Sequence, residues 1–78
     1  MLPHKGEPMR IDWINPQSHR YYSAELVTNL FGEPELVRAW GGIGSARGGQ
    51  SSEPDPAPDA LVRVAKRRKQ RGYVPSGS

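Results

Sequence analysis

Arg20-Tyr21-Tyr22-Ser23-Ala24-Glu25-Leu26-Val27-Thr28-Asn29-Leu30 alternates with a period of two, and Glu35-Leu36-Val37-Arg38-Ala39-Trp40 answers it across Phe31-Gly32-Glu33-Pro34. Tyr22, Ala24, Leu26, Thr28 and Leu30 fall on one face and Tyr21, Ser23, Glu25, Val27 and Asn29 on the other, the pattern of a half-buried antiparallel strand. Phe31 to Pro34 has hairpin turn chemistry. In the returning strand Leu36, Arg38 and Trp40 share one side, while Val37 and Ala39 take the other. A single helix covers only one face of such a sheet, so the second face meets solvent or a partner.

Upstream, Met9-Arg10-Ile11-Asp12-Trp13-Ile14 reads as a first strand closed by Asn15-Pro16-Gln17-Ser18, and residues 1–8 read as a flexible extension. Downstream, Trp40 is followed by Gly41, Gly42 and Gly44, a broad ring beside positions where the backbone can approach a neighbour closely. Two readings stay open: Trp40 at the rim of a partner surface, or a core ring followed by a bulge. A short fourth strand falls within residues 41–56. Gly44 to Ser51 has the glycine spacing of a phosphate-binding loop, but Gln50 replaces its lysine and prolines follow where a helix should open.

Asp55-Pro56-Ala57-Pro58-Asp59 reads as a helix start with acidic capping and proline in the first turn. Ala57, Ala60, Leu61, Val64 and Ala65 form the packing stripe, which leaves Arg63, Lys66, Lys69 and Gln70 outward. Gly72 terminates the helix as a C′ residue, with Tyr73 and Val74 folding back on it, and residues 75–78 read as a disordered tail. The fold class is therefore α+β: a small twisted antiparallel sheet of about four strands with one C-terminal helix on one face.

Seventy-eight residues leave little room for an elaborate enzyme. No nucleophile lies near a histidine, and Asp12, Glu25, Glu33 and Glu35 show no catalytic pairing, so a non-enzymatic protein is expected. There is no cysteine, and His4 and His19 are far apart, so neither a metal nor another cofactor is expected. No apolar run nears the roughly 20 residues that span a bilayer, and no secretory h-region opens the chain. A cytoplasmic location, including association with the nucleoid, is the expectation. Residues 1–60 carry five basic and eight acidic side chains, whereas residues 61–78 carry six basic and no acidic ones. That asymmetry points to an anionic partner.

Tyr21-Tyr22, Leu30-Phe31-Gly32, Leu36-Val37-Arg38-Ala39-Trp40-Gly41-Gly42-Ile43-Gly44, the alanine-bearing helix and Lys66-Arg67-Arg68-Lys69-Gln70-Arg71-Gly72-Tyr73 together resemble the WGR domain, over residues 9–74. The chain is similar to the short stand-alone bacterial members. The resemblance implies a twisted antiparallel sheet carrying one helix, and DNA binding at duplex ends and strand breaks. Trp40 and Gly41 match the first two residues of the name-giving motif, and Gly42 stands in place of its arginine.

The expected function is sequence-independent DNA binding with a preference for ends, nicks or single strands. Cations dock on phosphates, and aromatic rings meet a sugar or an exposed base. The candidate binding residues are Trp40, Gly41, Arg38, Arg47, Lys66, Lys69, Arg71 and Tyr73. The competing class is a protein-interaction or regulatory module using the second sheet face, with Val27, Val37 and Ile43.

Overall fold

The computed structural model describes residues 9–76; the expected extension over residues 1–8 and the last two residues of the expected tail lie outside them. Strands β1 (Met9–Asn15), β2 (Arg20–Thr28), β3 (Pro34–Gly42) and β4 (Gly48–Pro54) precede helix α1 (Ala60–Gln70), and β5 (Val74–Pro75) follows it. All pairings are antiparallel, in the order β4-β3-β2-β1-β5. The described residues make an α+β fold with an open sheet and one helix.

The register places Tyr22 opposite both Trp13 and Trp40, Ala24 opposite Ile11 and Arg38, and Leu26 opposite Met9 and Leu36. These side chains share the face that α1 covers. Trp13, Ala24 and Leu36 form the core with Ala60, Leu61 and Val64 of the helix, each no more than 8 % exposed. Burying a side chain such as Leu36 contributes about 1.5–3 kcal/mol. Ala24, fully buried at the centre of this face, leaves room for α1 to approach. An 11-residue helix spans only about 16 Å, whereas a nine-residue strand reaches about 30 Å. Part of each long strand therefore projects beyond the helix.

Three local features differ from the sequence reading. β2 stops at Thr28 because the Asn29 side chain takes over the loop: its Oδ1 accepts the N–H groups of Phe31 and Glu33, both at 2.9 Å. Leu30 and Phe31 are left almost wholly in solvent. β4, by contrast, lies within residues 41–56 as expected; it forms over seven residues without apolar support because it only has to complete a ladder on β3, whose Trp40 lies opposite Gly49 and Arg38 opposite Ser51. α1 starts at Ala60: Asp55 sits at φ +47°, and Pro58 disfavours helical geometry at Ala57, which is exposed and outside the packing stripe. Asp59 occupies the N-cap position without a capping hydrogen bond from its side chain, which instead accepts from Arg63 Nε at 3.0 Å.

The third difference is β5. Gly72, at φ +87°, closes the helix with the paired bonds of a Schellman motif, Tyr73 N–H to Arg68 carbonyl at 2.9 Å and Gly72 N–H to Lys69 carbonyl at 3.2 Å. The chain is thereby turned back along the free edge of β1. Pro75, read from sequence as tail, pairs there with Trp13, and Ser76 N–H donates to the Asp12 carbonyl at 2.9 Å. Proline is tolerated because β5 is an edge strand.

Candidate functional site

The cross-strand row Trp13, Tyr22, Trp40 runs out from under the helix toward the β3–β4 side of the sheet. Trp13 is 3 % exposed and belongs to the core, whereas Trp40 is 38 % exposed. Tyr22 is the hub between them: its ring meets Trp13 edge-on at 6.0 Å, lies nearly parallel to Trp40 at 6.2 Å and meets Tyr73 edge-on at 6.2 Å. The Arg68 guanidinium carbon sits 4.0 Å above the Tyr22 ring centre and 5.2 Å from that of Tyr73. Such a contact is worth about 0.5–2 kcal/mol, more as water is excluded.

Glycine makes the outer end of this row possible. A Cβ at Gly49 would lie 2.6 Å from the Trp40 indole, so that ring rests directly on the backbone of β4. On the opposite sheet face a Cβ at Gly41 would come within 2.9 Å of the Tyr21 ring and 2.7 Å of the Arg47 carbonyl. Gly41 shapes the strand end by its lack of a side chain.

An open groove of about 500 Å³ lies between this aromatic row and the end of α1. Arg20, Arg68 and Arg71 line it together with Tyr22, Trp40, Gly41 and Tyr73, and Asn15 and Ser18 close one end. Among the described residues no carboxylate lines it. The ion pairs among the described residues use Arg10, Arg38 and Arg63, which leaves Arg20, Arg68 and Arg71 outside any of them. The Arg68 and Lys69 carbonyls of α1 already accept the Schellman bonds, and the carbonyl of its C-cap, Arg71, accepts from Asn15 Nδ2 at 3.2 Å. The basic side chains are therefore not drawn back to cap their own helix.

A second groove of about 380 Å³ adjoins the first, lined by Tyr22, Arg38, Arg63, Val64, Arg67 and Arg68. Arg38 donates from Nη2 to Glu53 at 3.2 Å, a half-exposed pair of the kind worth about 0–1 kcal/mol. The Nε–H groups of Arg38 and Arg68 are buried and find no acceptor among the described residues. Away from both grooves, Arg10 is hydrogen-bonded to both carboxylate oxygens of Asp12, which raises its pKa, first through that hydrogen bond and then through the opposite charge.

Of the residues chosen from sequence, Trp40, Gly41, Arg71 and Tyr73 come together in the first groove and Arg38 lies in the second. Lys66 and Lys69 are exposed on other faces of α1, and Arg47 is exposed in the β3–β4 loop; none of the three lines either of these two grooves. Tyr22, Arg20 and Arg68 were missed. Tyr22 and Arg20 follow from pairing the strands in register, which sets Arg20 opposite Gly42. Arg68 follows from continuing the Leu61, Val64, Ala65 stripe by one more turn, where the core gives way to Tyr22.

Fold and groove define a small open-sheet α+β domain that offers a cationic, aromatic surface to an anion. The WGR domain family matches residues 9–78, and the chain belongs to that family of nucleic-acid-binding-type modules. No curated protein and no solved structure shows significant similarity to it. No helix among the described residues is long and apolar enough to cross a membrane.

Proposed function

We propose that this WGR domain is a non-enzymatic DNA-binding module that holds phosphates on Arg20, Arg68 and Arg71 and sets Trp40 against a sugar or an unstacked base. The observation that carries the reading is the convergence, on one groove, of three aromatic rings and three arginines that, among the described residues, have no ion-pair partner and no carboxylate beside them in the lining. Guanidinium forks suit phosphate, and phosphate contacts are blind to sequence. An exposed ring stacks best where a base or sugar face is free, so ends, nicks and single strands are favoured over continuous duplex. α1 lies with its apolar stripe on the sheet, which argues against use as a major-groove reading helix. On this reading the protein acts in the cytoplasm beside the nucleoid.

Fluorescence anisotropy with nicked, blunt and single-stranded DNA at low and near-physiological salt tests the proposal. Trp40→Ala is expected to abolish the preference for ends, and Arg20→Ala with Arg71→Ala to weaken every DNA form alike. Equal binding of all forms by the wild type, or wild-type binding by these variants, would remove the groove from the account.

A second reading has one specific observation behind it. Leu30 and Phe31 project from a loop fixed by Asn29 and flanked by Glu33 and Glu35. A protein partner with an apolar pocket and a basic rim would fit this tip, which is far along the sheet from the groove.

A further inference from the structure

Apart from Arg68, which borders both grooves, the second groove has no part in the function proposed above, yet it carries Arg38, Arg63 and Arg67 as well. Arg63 and Arg67 on α1 and Arg71 at its C-cap succeed one another at four-residue steps, about 6 Å of helical rise each. Arg63 and Arg67 face the second groove and Arg71 the first, with Arg68 bordering both. On β3, Arg38 and Trp40 are two residues apart, about 6.6 Å along the strand. Both spacings are comparable with the separation of successive phosphates along an extended nucleotide strand.

We infer that the second groove is a phosphate site for the neighbouring internucleotide phosphate of a single polynucleotide strand whose other phosphate lies in the first groove, the strand crossing over Arg68. The inference rests on the first groove being a nucleic-acid site. Glu53 and Asp59 are the counter-ions that the phosphate displaces. Each holds its arginine through one exposed or half-exposed contact, Glu53 on Arg38 Nη2 at 3.2 Å and Asp59 on Arg63 Nε at 3.0 Å. A phosphate can accept from Arg38, Arg63 and Arg67 together, which neither carboxylate does. The unpartnered Nε–H groups of Arg38 and Arg68 gain an acceptor once the guanidinium groups turn toward the ligand. A strand of at least two phosphates is then the smallest ligand that fills the surface.

The test is titration by nuclear magnetic resonance and anisotropy with 5′-phosphorylated thymidine, its 5′-phosphorylated dinucleotide and its tetranucleotide. Wild-type protein is expected to bind the dinucleotide at least tenfold more tightly than the mononucleotide at low salt. Arg63→Ala with Arg67→Ala, both on exposed positions of α1, is expected to erase that gain and to lower the salt slope for the tetranucleotide by about 0.7, the value for one single-strand phosphate. Glu53→Gln is expected to tighten the dinucleotide severalfold, a gain that misfolding cannot mimic. A dinucleotide advantage that survives the double substitution overturns the inference while leaving the first groove in place. So does an oligoglutamate of equal charge that binds as tightly as the tetranucleotide. Wild-type binding of every probe by Trp40→Ala with Arg71→Ala overturns the first groove's role and this inference with it.

Discussion

Two tryptophans on one row of the sheet do different work, and accessibility separates them. Trp13 is closed under α1, so Trp13→Ala is expected to cost about 3–5 kcal/mol, as a core cavity does. Trp40 rests on Gly49 with one side open, so Trp40→Ala is expected to cost only about 1–2 kcal/mol. Urea denaturation of the two variants checks the difference; equal losses would make Trp40 a core residue. The pairing of Arg20 with Gly42 offers a second residue-scale test. Where the family motif carries arginine, this chain has none, and the facing strand supplies the cation to the same side of the sheet. Arg20→Ala is therefore expected to weaken DNA binding, and adding Gly42→Arg to that variant is expected to restore it. The new side chain has room once the Ser45 Cβ, 3.2 Å from the built position, yields slightly. Gly42→Arg alone sets like charges on facing positions, a cost of a few tenths of a kcal/mol in the absence of DNA. No recovery in the double variant would show that Arg20 does not stand in for the motif residue.

At the scale of elements, Asn15 joins the two walls of the groove. Its Oδ1 accepts the N–H groups of Gln17 and Ser18, at 3.0 and 3.2 Å, and fixes the β1–β2 turn, while its Nδ2 donates to the carbonyl of Arg71, the C-cap of α1. Asn15→Asp keeps the acceptor and loses the donor. The expected result is a cost of about 1 kcal/mol and a several-fold loss of DNA affinity, with the turn intact by nuclear magnetic resonance. Asn15→Ala is expected to lose both, at about twice the cost. Gly72 belongs to the same joint: at φ +87° a Cβ is strained, so Gly72→Ala is expected to cost about 1 kcal/mol in thermal or urea denaturation. Tyr73 and Arg71 would move with it, and DNA affinity should fall together with stability. The sequence announced this helix end through Gly72 and the aromatic residue after it. It did not announce β5, because a two-residue strand has no periodicity and forms only after α1 has returned the chain to β1.

Across the whole molecule, folding sorts charge by face. The helix side of the sheet carries Arg20 and Arg38 beneath a helix whose residues and C-cap bring six cations from Arg63 to Arg71, against Glu53 alone among the strand residues of that side, while Asp12, Glu25 and Glu35 lie on the opposite face with Arg10. Glu25→Gln is accordingly expected to leave DNA affinity within about twofold, since a charge behind the sheet is screened over roughly 10 Å at 0.1 M salt. A larger change would mean that the opposite face also meets DNA. The buried core is small, so binding should be visible as stabilisation. A single-stranded oligonucleotide at 100 times its dissociation constant is expected to add about 2.7 kcal/mol and raise Tm by several degrees, an effect read by differential scanning fluorimetry and absent in the Arg20, Arg71 double alanine variant.

The sequence by itself determined the α+β class, the hairpin from Arg20 to Trp40, the helix with its glycine stop and the basic C-terminal segment. Each of these rests on local period or local backbone chemistry, which is written in consecutive residues. Half of the candidate groove was legible as well, because Trp40 beside glycines and Tyr73 after Gly72 are local signals. Only the tertiary structure decided which cations share a surface. Arg20 meets Arg68 and Arg71 because strand register and helix placement bring residues nearly fifty positions apart onto one groove, while Lys66 and Lys69, in the same basic run, are carried away from it by the 100° turn between successive helical residues.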